Sequence, residues 1–245
     1  MTKIAIIGGT GLDKIPDLEI THREVSHTPF GDPSAAFTHG RIAGSEVVFL
    51  PRHGASHTIP PHRVNYRANM WALHHLGIDL VIGVAAVGGI TDAMKPGSIV
   101  VPDQIIDYTC GREHTIFESD LQQVTHIDFT YPYCEELRQR LIAAAQASGV
   151  DCVPQGTYGA TQGPRLETAA EIVRMERDGC DIVGMTGMPE AALAREFKLC
   201  YASCAVVSNW AAGKQAAPIT MSEIEKHLIS GMEQAKRLLI ALLER

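Results

Sequence analysis

Short runs of β-branched and apolar residues alternate along this chain with segments of helical periodicity, and most runs end at glycine or another small residue. The runs predict strands over residues 3–7, 46–50, 79–84, 98–101, 153–160, 181–184 and 199–207. Helices are predicted over 65–76, 134–148, 168–178, 189–197 and 221–243. The last is the clearest: Ile224, Leu228, Met232, Ala235, Leu239 and Leu242 recur at three- or four-residue steps, and Leu238 widens the stripe. Alternation of this kind predicts a single α/β domain, a mixed and mostly parallel sheet covered by helices. A chain of 245 residues is long enough for one large core, and it carries no linker, repeat or low-complexity tract. Only 102–133 fits neither pattern, and an irregular stretch of that length is more often functional than idle.

Charge and cysteine usage narrow the partners. A net charge of −7 argues against nucleic acid, whose binders present a basic face. It leaves room for a small anion, because a few local donors outweigh the global field at close range. No apolar run approaches the ~20 residues that span a bilayer, and Met1-Thr2-Lys3 leads straight into Ile4-Ala5-Ile6-Ile7 without the pattern of a signal peptide. No membrane association is expected, and the expected compartment is the cytoplasm. Six cysteines, at 110, 134, 152, 180, 200 and 204, form no CxxC, so free buried thiols are expected in place of a zinc ribbon or redox motif.

Loops in such sheets gather at the carboxyl ends of strands, where ligands bind. Gly8-Gly9-Thr10-Gly11 follows the first strand and either makes a tight turn or offers N–H groups and a hydroxyl to an anion. It is neither a P-loop nor a dinucleotide fingerprint, since Lys14 stands where the latter needs glycine. Arg52-His53-Gly54 lies past another strand end, where the arginine either makes a surface salt bridge or, with the imidazole beside it, offers donors to phosphate oxygens. The His53-x3-His57 spacing lacks the glutamate and helix of a zincin, and no metal site is expected. Ala85-Ala86-Val87-Gly88-Gly89 lets a ligand approach the backbone. Thr186, before Pro189, either caps a helix or serves an anion at its N-terminus. Thr168 and Glu171 are spaced as a capping box, and Glu167 is a surface carboxylate or an acceptor for a ring N–H. Asn209, closing an apolar run, either holds a loop or meets a heterocycle edge with one donor and one acceptor.

Taken in order, Gly9-Thr10-Gly11, Arg52-His53-Gly54, Val64-Asn65-Tyr66-Arg67-Ala68-Asn69, Gly163-Pro164-Arg165 and Met185-Thr186 through Pro189-Glu190 resemble the trimeric purine nucleoside phosphorylase and methylthioadenosine phosphorylase family. The resemblance runs from residue 4 to about 240. It implies that Thr10, Arg52, His53, the Ala85-Ala86 backbone and Thr186 surround phosphate, a co-substrate, and that Met185 lines the ribose. Leu166, Trp210 and Ala211 would flank the base. The family also implies a homotrimer, with the His126 region of one subunit reaching a neighbour's sugar pocket, and no metal or organic cofactor.

Three positions depart from the 6-aminopurine members, which carry aspartate at the positions of Asn209 and Ala211 and a small hydroxyl residue at that of Glu167. Carboxylates accept from an exocyclic amine and oppose a carbonyl oxygen. Asn209 can donate to O6 while accepting from a protonated N7, and Glu167 can hold the N1–H of a 6-oxopurine. At the sugar end, ordinary nucleoside phosphorylases tend to offer a histidine to the 5'-hydroxyl. Here Met221 and Ile224, one helical turn apart, either wall a 5'-methylthio group or pack into the core. The expected activity is phosphorolysis of methylthioinosine first, and of inosine or guanosine second, with methylthioadenosine as a further alternative. Asn209 and Glu167 would stabilise the departing purine.

Overall fold

The computed structural model describes residues 2–12, 18–119, 123–216 and 220–244; of Met221 it describes the backbone only. Eleven strands and five helices are found among them. The strands are β1 (Ile4–Gly8), β2 (Glu19–Glu24), β3 (Phe37–Ile42), β4 (Ser45–Pro51), β5 (Leu80–Gly89), β6 (Ile99–Val100), β7 (Gln104–Asp107), β8 (Cys152–Val153), β9 (Thr157–Ala160), β10 (Ile182–Gly184) and β11 (Cys200–Trp210). The helices are α1 (Tyr66–His75), α2 (Glu135–Ala147), α3 (Ala169–Arg177), α4 (Gly187–Glu196) and α5 (Met221–Leu243). All five lie where periodicity predicts them, to within two residues at either end. No helix among the described residues is long and apolar enough to cross a membrane.

One mixed sheet carries the order β2-β3-β4-β1-β5-β10-β9-β7, and β11 pairs with β5 and β6 off that path. Alternate residues of β1 point to opposite faces, Ala5 and Ile7 into one core and Ile4 and Ile6 into the other. The first core holds Met70 and Leu73 of α1 with Leu193 and Ala194 of α4; the second holds Leu137 and Leu141 of α2 with the stripe of α5. Burial on both faces is why β1 and β5 read as unbroken apolar runs.

Three strands escape the sequence pattern. β2 is almost wholly exposed and polar, β3 alternates around Thr38, His39 and Gly40, and β7 sits inside the stretch that reads as irregular. The predicted strand 153–160 is two, β8 and β9, pairing with β6 and with β7 and β10 respectively. The free-thiol expectation fails for two cysteines. Cys134 precedes α2 and Cys200 opens β11, and the fold brings their Cα atoms to 5.1 Å, within disulfide reach, where they are bonded. A separation of 66 residues hides that contact from the sequence.

Candidate active site

The site arises where β5 changes partners. Along one edge β5 pairs with β11 throughout; along the other it pairs with β1 from Leu80 to Gly83 and antiparallel with β10 at Gly88 and Gly89. Between those pairings the sheet splits, and a cavity of about 380 Å³ opens beside Ala85, Ala86, Val87 and Gly88. Its other walls come from the carboxyl ends of β1, β4, β10 and β11. Thr10, Arg52, His53, Ala85, Ala86, Thr186, Met185, Leu166, Glu167, Asn209, Ala211 and Ile224 all line it.

At one end stand the candidate phosphate groups. Gly9 is glycine for a reason: a Cβ there would lie 2.7 Å from the Val84 oxygen and 2.8 Å from Arg52 Nη1. The Arg52 fork that lines the cavity is already largely engaged within the protein. Its Nε and Nη2 donate to the two oxygens of Glu190 at 2.6 and 2.7 Å, and Nη1 donates to Val84 O at 2.7 Å. Arginine has five N–H groups, so one on each terminal nitrogen remains for a ligand. Burial disfavours the guanidinium charge, but Glu190 outweighs it and the pKa rises. The Tyr201 hydroxyl donates to Glu190 at 2.8 Å, and burial holds that phenol protonated.

His53 differs from expectation in its proton. Its Nδ1 lies 2.8 Å from the Ile59 carbonyl, which can only accept, so Nδ1 carries the hydrogen. Burial, then the Arg52 charge, push the pKa down to about 4. The ring is therefore neutral near pH 7 and Nε2 is an acceptor, suited to a hydroxyl of hydrogen phosphate or sugar. His57 reaches the same wall, 3.4 Å from Thr10 Oγ1 through Nε2. Thr186 occupies the N-cap position of α4, yet its hydroxyl makes no capping bond, contrary to the local pattern. Met188 is extended (φ −118°, ψ 139°), so the backbone leaves the helical path and regular helix begins only at Pro189.

The opposite end can meet a purine. A β-bulge lets Val207 pair with Val87 and Asn209 with Gly88, leaving Ser208 as the extra residue that re-aims the strand end. Asn209 Nδ2 donates to Trp210 O at 2.8 Å, which fixes which end of the amide is nitrogen. Ser208 Oγ lies 2.8 Å from Asn209 Oδ1 and 3.2 Å from Val87 O. One amide hydrogen and one oxygen lone pair are left for a ligand. Across the cavity, the Thr161 hydroxyl donates to Glu167 Oε1 at 2.7 Å and leaves Oε2 for a ring N–H. Ala211, 2% exposed, presents only a methyl group where a second carboxylate would otherwise face the base.

One expected residue does not join this wall: Trp210 is absent from the cavity lining. His126, expected at a neighbouring subunit's sugar pocket, is exposed. The Met221 side chain lies outside the described residues. Sequence reasoning weighed His57 only as a metal ligand and missed Ser208, Tyr201 and Arg112, while Glu190 enters it only as part of a motif. Arg112 is buried and donates to the carbonyls of Thr161, Gln162, Met185 and Met188, tying the irregular segment to two stretches of the cavity wall. No local spacing signals it, because its partners are 49 to 76 residues away.

A probable S-methyl-5'-thioinosine phosphorylase of Pseudomonas syringae pv. tomato is 57% identical over 243 residues, covering 99% of each chain. A 6-oxopurine nucleoside phosphorylase of Pyrococcus furiosus is 45% identical, over 98% of this chain and 92% of its own. Among solved structures, a methylthioadenosine phosphorylase from Schistosoma mansoni in complex with adenine superposes with a TM-score of 0.95 at 33% identity, over 99% of this chain and 91% of that one. The model of the phosphorylase superfamily matches residues 3–244, and the protein is an enzyme of that superfamily.

Proposed function

We propose that the enzyme phosphorolyses S-methyl-5'-thioinosine to hypoxanthine and 5-methylthioribose 1-phosphate. The observation that carries this reading is that one cavity is lined by the oriented Asn209 amide, by Glu167 and by alanine at 211. Phosphate held by Arg52, Thr10, Thr186 and the Ala85-Ala86 backbone attacks C1' as the bond from C1' to N9 breaks. The bonding pair passes to the purine, and N7 takes up a proton from water. Asn209 meets the charge with a hydrogen to O6 and a lone pair to the N7 proton, and Glu167 accepts from N1–H. These contacts strengthen as charge moves onto the ring, so they accelerate the chemical step. His53 Nε2 accepts a hydroxyl hydrogen and helps hold phosphate under C1', a positioning role. Met185 lines the ribose.

The 57%-identical relative carries the methylthioinosine name, and Ile224 gives the sugar end of the cavity an apolar residue. A second reading, general phosphorolysis of inosine or guanosine, draws on the Pyrococcus relative. Methylthioadenosine draws only on the more distant structural neighbour and requires a base edge that Asn209 opposes. The reaction as proposed uses phosphate as co-substrate and no cofactor, in a cytoplasmic homotrimer whose His126 segment meets a neighbour's sugar site; sedimentation and cell fractionation test the last two points. Asn209→Ala tests the chemistry. Loss of about 10²–10³ in kcat with phosphate KM retained is expected, and an unchanged kcat on methylthioinosine overturns the assignment.

A further inference from the structure

The edge of the sheet formed by β2 and β3 carries a second cluster of donors. His22 and Glu24 are two residues apart on β2, hence on one face, and His39 stands directly opposite His22 in the antiparallel ladder. One ligand atom from each of the three lies within 4.8 Å of the others. The two imidazoles stack, with centroids 4.2 Å apart and planes 12° from parallel, so their edges run side by side. Glu24 Oε2 approaches His39 Nε2 to 3.1 Å, but without hydrogen-bond geometry, and this buried nitrogen has no hydrogen bond. A carboxylate and an imidazole nitrogen this close form an ion pair when the ring is protonated and can share a metal ion when it is neutral. An ion between them would satisfy both.

We propose that His22, Glu24 and His39 form a binding site for a divalent transition metal, zinc by preference, that pins β2 to β3. Two imidazoles and one carboxylate select zinc, nickel or copper over magnesium and calcium. Zinc takes nitrogen and oxygen ligands tetrahedrally at about 2.0–2.2 Å, so its ligand atoms stand about 3.4 Å apart. Closing the 4.8 Å span needs only small side-chain rotations, and the exposed His22 is able to make them. Thr21 Oγ1 lies 3.2 Å from His22 Nδ1, the outer partner that orients a ligating ring and leaves Nε2 for the ion. Water would complete the shell.

The site has no part in the phosphorolysis. It borders a hollow lined by Lys3, Ile4, Val47 and Val48, the amino-terminal ends of β1 and β4, whereas the candidate active site lies past their carboxyl ends. The ion would join a strand that buries almost nothing to the body of the sheet.

Zinc titration of the metal-free full-length protein, followed by calorimetry and by competition with a chromophoric chelator, tests the proposal. One ion per chain and a zinc-dependent rise in Tm are expected. Loss of an outer partner of a metal ligand costs about 10–100-fold in affinity, so His22→Ala and Glu24→Gln, both at the surface, should each weaken zinc by at least about 100-fold. Both variants should keep the wild-type phosphorolysis rate and the wild-type Tm measured without metal. Zinc affinity unchanged in the two variants, including through ligation by His53 and His57, overturns the proposal. So does a wild-type chain that binds no zinc.

Discussion

Arg52 and Glu190, 138 residues apart, meet edge to edge with two parallel hydrogen bonds of 2.6 and 2.7 Å, each side chain 1% exposed. The guanidinium beside the candidate phosphate site is therefore already neutralised as a charge. In the proposed reaction its task is to aim the two remaining N–H groups at phosphate, with Glu190, itself bonded by Tyr201, holding the fork in place. Removing one partner of a buried pair costs about 3–5 kcal/mol, so Glu190→Ala should destabilise by that order in urea unfolding. Glu190→Gln, which retains one acceptor oxygen, should fold better and show a raised phosphate KM. A variant with wild-type stability and phosphate KM would separate Glu190 from both roles.

Gly9→Ala probes the same wall from the backbone. Its Cβ would stand 2.7 Å from a main-chain oxygen and 2.8 Å from Arg52 Nη1, and the first cannot swing away. Overpacking of this kind costs about 1–3 kcal/mol. Saturation kinetics should show phosphate KM rising more than nucleoside KM; equal rises would mean the whole cavity has shifted.

The sequence showed the helices and the buried strands because both express themselves as period and as unbroken apolar runs. It could not show β2, whose exposed face leaves no hydrophobic pattern, nor the Cys134 and Cys200 bond, which only the closed fold creates. The residues around the cavity were legible as glycines, small residues and donors at strand ends. Their mutual bonding was not. Whether Arg52 reaches outward or grips Glu190 depends on a contact spanning 138 residues, and the amide orientation of Asn209 depends on a bulge.

His53 has a pKa in the folded protein below its ordinary 6.5, near 4, so the unfolded chain binds this proton first. Its neutral burial contributes stability that is full above pH 6.5 and is lost as pH falls toward about 4. Urea midpoints at pH 7 and pH 5 should drop for the wild type and drop less for His53→Asn. An equal drop in both would mean that His53 is not the group responsible.

Reversing the base edge tests specificity. In the double variant Asn209→Asp with Ala211→Asp, two carboxylates replace the donor for O6. Mispaired polar groups in a closed site are worth orders of magnitude in discrimination, so the ratio of methylthioadenosine to methylthioinosine kcat/KM should rise by about 100-fold or more. Some stability will be lost at the buried position 211, and the ratio is insensitive to that loss. A ratio that stays put contradicts the role given to these two positions.

Phosphorolysis of methylthioinosine, inosine, guanosine and methylthioadenosine, measured side by side on the wild-type enzyme with saturating phosphate, reaches the central claim most directly. The highest kcat/KM is predicted for methylthioinosine, with methylthioadenosine lower by about 100-fold or more through its mispaired base edge. A clear preference for methylthioadenosine would contradict it.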